Sequence, residues 1–352
     1  MTSGVAADLE ALLAGRDLDE ERAAALMTGL MAGELDPAAV AGLLVALRAK
    51  GEAPSEVAGF VRAMTAAATP VPLPGPVRDR AVDTCGTGGD GAGTVNVSTV
   101  AAVVVAAAGV PVVKHGNRAA SSLAGSADLL EAWGVAIELG PDDAAAVLED
   151  VGATFLFART YHPAMRHVAP VRAALGVRTV FNVLGPLSNP AGVGRQVVGV
   201  ADARLAGIVA EALARLGRTY ALVVRGDDGL DELTTTTTSV VHEVRDGAVT
   251  VRRFDPADLG LARARPEDLR GGDVATNRAL ADDVLAGREG PLADLVLLNA
   301  AAALVVGGAV EDLAAGLALG REVVADGRAR GIRDRWVAAS RVRAGTGGVG
   351  AS

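Results

Sequence analysis

The sequence is short of the residues that most often carry chemistry. It holds one cysteine, Cys85, four histidines, six asparagines, and only two lysines, Lys50 and Lys114, among 33 basic side chains. A single cysteine excludes a disulfide framework and fits a reducing compartment. Cys85 follows a strand candidate and precedes glycine with no base beside it, so it is expected to pack rather than to attack. His162, His167 and His242 show no metal-ligand spacing and no cysteine partner, which argues against zinc. Acidic residues come early, at Asp8 and Glu10, and no basic, apolar, small-residue leader pattern is present. The most apolar helix candidate, residues 295–306, contains Asn299 and falls short of the roughly 20 residues that span a bilayer. The expectation is a cytoplasmic protein without a membrane segment. A net charge of −9 argues against a nucleic-acid surface, so an anionic ligand must be drawn in by local cations.

The rare residues crowd into one stretch, residues 83–122, DTCGTGGDGAGTVNVSTVAAVVVAAAGVPVVKHGNRAASS. Residues 80–84 read as a short strand running into GTGGDGAG, where five of eight residues are glycine. Without Cβ atoms such a loop brings backbone N–H groups close to an anion. Ser98 or Thr99 is expected to cap a buried helix reaching Ala108, with its N-terminus aimed at the same anion. Residues 110–113 form the next strand and KHGNRAASS the next loop, where Lys114, His115 and Arg118 bring charge and Ser126 caps a following helix. The pattern predicts a phosphate-rich, polyhydroxylated ligand held between two loops.

Two other loop readings fail. GTGGDG matches the dinucleotide pattern G-x-G-x-x-G, yet no Asp or Glu occurs between Gly91 and Ala127, so the ribose-binding carboxylate expected about 20 residues on is missing. No lysine follows these glycines as the P-loop requires.

At 352 residues the chain has room for one large domain or two. Four amphipathic helices are expected at residues 6–14, 20–32, 37–49 and 55–68, with Asp36-Pro37 a start signal. PVPLPGP, residues 70–76, then breaks the pattern. From Asp83 on, strands at 135–139, 154–158, 195–201 and 220–225 alternate with helices at 142–150 and 204–216, which predicts a largely parallel sheet with helices on both faces. Residues 240–254 read as a hairpin folded at Asp246-Gly247, and residues 273 onward return to helix. The fold class is α/β: a small N-terminal helical domain plus a larger α/β domain with a mostly parallel central sheet flanked by helices. The division falls at 1–75, completed by helices from about 162–185, and 76–352, ending in a glycine-rich tail.

Asp227, Asp228, Asp231 and Glu232 crowd together after the strand at 220–225, where parallel sheets bind ligands. Such acids hold Mg²⁺ together with waters and substrate oxygens. Arg166, Arg172 and Arg178 recur at a spacing of six, so they cannot share one helix face. FNVLGPLSNP after them reads as a turn beside whatever Arg172 touches.

The ordered motifs DTCGTGGD, NVST, KHGNR-x-x-SS-x-x-GSAD-x-LE, R-x-x-LG-x-RT-x-FN-x-LGPL-x-NP and G-x-DE-x-T resemble those of the anthranilate phosphoribosyltransferases over essentially the whole chain. The resemblance implies transfer of a phosphoribosyl group from 5-phosphoribosyl 1-diphosphate to anthranilate in tryptophan biosynthesis. It implies Mg²⁺, two ions, as cofactor and a homodimer built through the helical domain. It assigns Gly86, Gly89, Asp90, Thr94, Asn96, Val97, Ser98 and Thr99 to the first diphosphate-and-ribose loop. Lys114, His115, Gly116, Asn117, Arg118, Ala119, Ala120, Ser121 and Ser122, with Ser126, fall to the second. Asn117 and Arg172, with Gly86, match the anthranilate site, and Ser98, Asp231 and Glu232 the metal sites. The pair Asp227-Asp228 is extra and leaves open which acids hold metal. No covalent nucleophile is required, and His115 is a candidate proton acceptor or phosphate contact. Alternative readings are a pyrimidine nucleoside phosphorylase-like enzyme, a type I phosphoribosyltransferase and a non-enzymatic nucleic-acid-binding relative; the charge argues against the last.

Overall fold

The computed structural model describes residues 2–119 and 123–346. Four helices come first: α1 (Thr2–Leu13), α2 (Glu20–Met31), α3 (Pro37–Lys50) and α4 (Pro54–Ala66). Their ends follow local chemistry. Asp36 accepts from the Ala38 N–H with Pro37 in the first turn, and α3 closes at Gly51, whose φ of 92° suits a residue without Cβ. A single turn, α5 (Gly75–Arg78), lies within the proline-rich connection.

The larger part alternates strand and helix: β1 (Val82–Gly86), α6 (Val97–Ala107), β2 (Val112–Gly116), α7 (Ser126–Trp133), α8 (Pro141–Val151), β3 (Ala153–Phe157), α9 (Ala158–Tyr161), α10 (Ala169–Leu175), α11 (Phe181–Leu187), β4 (Arg195–Gly199), α12 (Ala203–Arg215) and β5 (Tyr220–Gly226). Then come β6 (Ser239–Arg245), β7 (Ala248–Phe254), α13 (Val274–Leu285), α14 (Pro291–Gly307), α15 (Leu313–Ala325) and α16 (Arg328–Thr346). The strands form one sheet in the order β3-β2-β1-β4-β5-β6-β7. The first five run parallel and the last two antiparallel. Asp246 and Gly247, with φ of 50° and 80°, make the tight hairpin turn that two left-handed residues permit.

Side chains alternate across the sheet. Val197, Leu222 and Val224 enter a core with α6, α7, α8, α14, α15 and α16. Val198, Ala221 and Val223 enter a second core with α2, α3, α4, α11 and α12. The N-terminal helices are therefore packed into the layer on one face of the sheet. The chain builds outward from β1 to β3 and returns to the other side of β1 for β4. That reversal places the switch point at the carboxyl ends of β1 and β4, where sheets of this kind bind ligands.

Several local expectations are corrected. Residues 135–139 are not a strand: Val135, Ile137 and Leu139 are buried alternately, but the segment is tied by Ser340 Oγ and Tyr161 OH instead of a neighbouring ladder. Asn96, not Ser98 or Thr99, stands before the first turn of α6. Gly125 holds that place for α7, and Ser126 is its first helical residue. FNVLGPLSNP is largely helix, since α11 runs through Gly185 and Pro186.

Candidate active site

The two glycine-rich loops leave the carboxyl ends of β1 and β2, as their positions in sequence predict. Several glycines stand at close approaches. A Cβ on Gly86 would overlap the Asp231 carboxyl, one on Gly89 would overlap the Arg178 guanidinium, and one on Gly116 would overlap Ser126 Oγ. Gly89 also has a φ of 77°. Arg178 donates from Nη1 and Nη2 to the Gly88 carbonyl at 3.2 and 3.3 Å. The first loop is fastened at its far end too: Thr94 bridges to Arg270, and Asn96 donates to the Ala124 carbonyl at 3.0 Å while accepting from Asn277 at 3.2 Å.

Acidic and basic groups meet at the switch point. The Gly88 N–H donates to Asp231 Oδ2 at 2.7 Å, and the Asp90 carboxyl lies near enough to act on it. Burial, with repulsion from Asp90, pushes the Asp231 pKa up to about 7. Burial and the nearby Asp231 push Glu232 well above the usual carboxylate range, partly offset by Lys114. Lys114 is buried; its Nζ donates to the Thr84 carbonyl and to Ser98 Oγ at 3.0 Å. Burial lowers its pKa, against the pull of Asp83. Among the described residues no three His, Cys, Asp or Glu side chains form a metal-ligating group. Asp90, Asp231, Glu232 and Ser98 supply oxygen alone, the donor type of Mg²⁺, which draws its remaining ligands from water and substrate phosphates. Burial raises Asp231 and Glu232, and the buried Lys114 offsets this only at Glu232, so the oxygen-only donor set fits a further cation.

The extra acids are engaged elsewhere. Asp227 pairs with Arg253 at 2.5 Å and accepts from Thr238 Oγ1. Asp228 accepts from Thr234 Oγ1 at 2.7 Å and from Thr236 Oγ1.

In the second loop, Asp128 gathers the Ala119 and Gly125 N–H groups at 3.1 and 2.8 Å, and Ser126 Oγ donates to the Asn117 carbonyl at 3.1 Å. Asn117 Oδ1 accepts from the Arg118 N–H at 2.8 Å and its side chain is exposed. The charge expected from this loop is largely spent. Arg118 pairs with Glu131 and Asp128, and burial beside His162 drives the His115 pKa down to about 3, leaving the ring neutral. Its Nδ1 lies 3.1 Å from the Gly185 carbonyl, so Nδ1 carries the proton, and Nε2 is buried without a partner among the described residues. Ala120, Ser121 and Ser122 lie outside the described residues.

Arg172, on α10, sits with its guanidinium carbon 5.3 Å from the centre of the Phe181 ring at the start of α11. Burial lowers its pKa, and among the described residues no carboxylate pairs with it. Cys85 is buried, its thiol pushed up by burial, with Sγ donating to the Pro186 carbonyl at 3.4 Å; it packs at the strand end. Sequence reasoning gave no role to Asp83, Asn189, Gln196 or Asn277. Asp83 and Asn189 lay inside the first and fourth motifs without a role; Gln196 and Asn277 carried no signal, because the side chains they meet, Asp83 and Asn96, lie more than a hundred residues away.

Glycine loops, an acid pair and a buried lysine gathered over the switch point of a doubly wound sheet fit an enzyme that handles a phosphorylated substrate. The pattern of the glycosyl transferase family, a/b domain, matches residues 78–330, and that of the family's helical bundle domain matches residues 9–68. Anthranilate phosphoribosyltransferase 2 of Streptomyces coelicolor is 54% identical over 80% of this chain and 84% of its own length. The crystal structure of the Thermus thermophilus anthranilate phosphoribosyltransferase superposes with a TM-score of 0.89 at 50% identity, covering 95% of this chain and 99% of that one. The Saccharomyces cerevisiae enzyme in complex with PRPP and Mg superposes with a TM-score of 0.88 at 25% identity, covering 97% and 99%. The chain belongs to this glycosyl transferase family, within the group of the anthranilate phosphoribosyltransferases.

Proposed function

We propose that this protein transfers the 5-phosphoribosyl group of 5-phosphoribosyl 1-diphosphate to the amine of anthranilate, releasing pyrophosphate, in tryptophan biosynthesis. The observation that carries the reading is the pairing of two unlike subsites. One is an anion cradle of glycine N–H groups, Lys114 and the α6 terminus beside Asp231 and Glu232. The other is Arg172, a desolvated cation resting on Phe181 and lacking a carboxylate.

Substitution at C1 of the ribose puts negative charge on the departing diphosphate. Loop N–H groups from Gly86 to Thr94, the first turn of α6 at Val97, Ser98 and Thr99, and Lys114 take that charge. Gly116, Asn117 and Ser126, with the rest of the second loop, hold the phosphoribosyl half. Ser98, Asp231 and Glu232 would hold Mg²⁺, two ions in this reading, which when bound supplies charge neutralisation to the diphosphate. An aromatic amine is already nucleophilic at neutral pH, so no side chain need form a covalent intermediate. Arg172 fixes the acceptor carboxylate by charge-assisted hydrogen bonds, and Asn117 adds one more, which is positioning. His115 Nε2 carries a lone pair because Nδ1 is bound to Gly185, and it accepts the proton that the amine loses.

The same reading takes residues 1–75, with helices from 162–185, as the domain through which a homodimer forms, residues 76–352 as the transferase domain, and the cytoplasm as the place of action. A panel of acceptors with pyrophosphate release as the readout tests it. Anthranilate alone among aromatic amines and nucleobases should drive fast release, whereas release with thymine or adenine would assign a different acceptor.

A further inference from the structure

The carbonyls of the last helical turn have no partner inside the helix, and at the end of α11 two of them are turned down onto the sheet. The Gly185 carbonyl meets His115 Nδ1 at 3.1 Å. The Pro186 carbonyl accepts from Gln196 Nε2 at 3.1 Å and from Cys85 Sγ. Beneath them lies Asp83, fully buried and paired across β1 and β4 with Gln196. Asp83 Oδ1 accepts from the His115 N–H at 3.1 Å. Its Oδ2 accepts from Asn189 Nδ2 at 2.9 Å, with Gln196 Nε2 at 3.5 Å. Asn189 also donates to the Val113 carbonyl at 2.9 Å. The Gln196 amide faces two acceptors, Asp83 and the Pro186 carbonyl, which fixes its NH₂ group towards both.

We infer that Asp83, Asn189 and Gln196 form a buried clamp that sets the C-terminal end of α11 and the His115 ring, and so fixes how the acceptor amine sits relative to Arg172. The helix is seven residues long, about 10 Å at 1.5 Å per residue. Its first residue, Phe181, carries the ring under Arg172, and its last turn is bolted to His115. A shift at the clamped end therefore changes the distance between the group that holds the acceptor carboxylate and the group that receives its proton. These three are positioning residues and touch no substrate. The inference rests on the proposed acceptor site.

Replacing Gln196 by Met keeps the volume and removes the donor to Pro186. The expected result is a rise of about tenfold in KM for anthranilate, the size of one hydrogen bond, with KM for 5-phosphoribosyl 1-diphosphate within about twofold of native. The ratio of kcat/KM for anthranilate to that for 4-fluoroanthranilate should change as well, which a loss of stability alone would not produce. Should Gln196→Met fail to fold, Gln196→Asn, which shortens the side chain and keeps the amide, must give the same split. A folded variant with unchanged constants, or with both KM values raised together, overturns the clamp. Native protein inactive with anthranilate would instead overturn the acceptor assignment on which it rests.

Discussion

Replacing Arg172 by alanine separates binding from folding more sharply than any other single change. In the native protein burial partly desolvates the guanidinium, and among the described residues it rests on the Phe181 face at 5.3 Å with no carboxylate paired to it. Such a contact contributes about 0.5 to 1 kcal/mol near the surface, and the desolvation of an unpaired cation offsets it. The variant should therefore melt within a degree or two of native protein. The acceptor loses charge-assisted hydrogen bonds worth about 1.5 to 3 kcal/mol, which predicts a rise of roughly 10- to 150-fold in KM for anthranilate. Steady-state kinetics with each substrate varied in turn, beside a thermal melt, measure all three quantities. Arg172→Lys should recover only part of the loss, since an ammonium cannot match a carboxylate with two parallel bonds. Equal increases in KM for both substrates, or a large fall in melting temperature with unchanged kinetics, would refute the reasoning.

Other sites carry their own expectations. Asp231→Asn with Glu232→Gln should flatten the Mg²⁺ dependence of the rate, measured by metal titration at fixed substrate; an unchanged titration would move the metal away from these acids. Gly89→Ala places a Cβ on the Arg178 guanidinium at a left-handed backbone position, so it should lower kcat/KM for the phosphoribosyl donor about tenfold or more while the helical core stays intact by circular dichroism. Burial, partly offset by Lys114, holds Asp83 up to about 6 from 3.8. The folded protein thus keeps a proton that the unfolded chain loses, and this contribution to stability is full below pH about 4 and lost as pH rises through about 6. Relative to native protein, Asp83→Asn should gain melting temperature between pH 4 and 7; a parallel pair of curves would show that Asp83 does not titrate there.

Local signals made much of this molecule legible. Asp36-Pro37 and Asp246-Gly247 act through two residues each, and the β/α alternation after Asp83 follows from apolar runs too short for anything but buried strands. The glycine loops and the DE pair were visible because glycines and acids cluster there directly after strand candidates, and the first loops also gather the chain's scarce Cys, Lys, His and Asn. What misled was burial without pairing: residues 135–139 alternate as a strand does, but they pack beside the sheet rather than in it. Gly185-Pro186 resembled a bend, yet Pro186 is the sixth of the seven residues of α11, where the missing N–H costs a single bond and the helix ends one residue later. The clamp of Asp83, Asn189 and Gln196 was illegible for a different reason, since its members meet only after β1 and β4 have paired. The charge on Arg118 was misjudged because Glu131 and Asp128 reach it from a helix whose facing direction sequence spacing did not reveal.

The central claim is tested most directly by anthranilate fluorescence in a mixture of purified protein, anthranilate and 5-phosphoribosyl 1-diphosphate, with and without Mg²⁺. The account predicts a decay that requires both the phosphoribosyl donor and the metal, with one pyrophosphate released for each anthranilate consumed. Stable fluorescence with folded protein and both substrates present would contradict it.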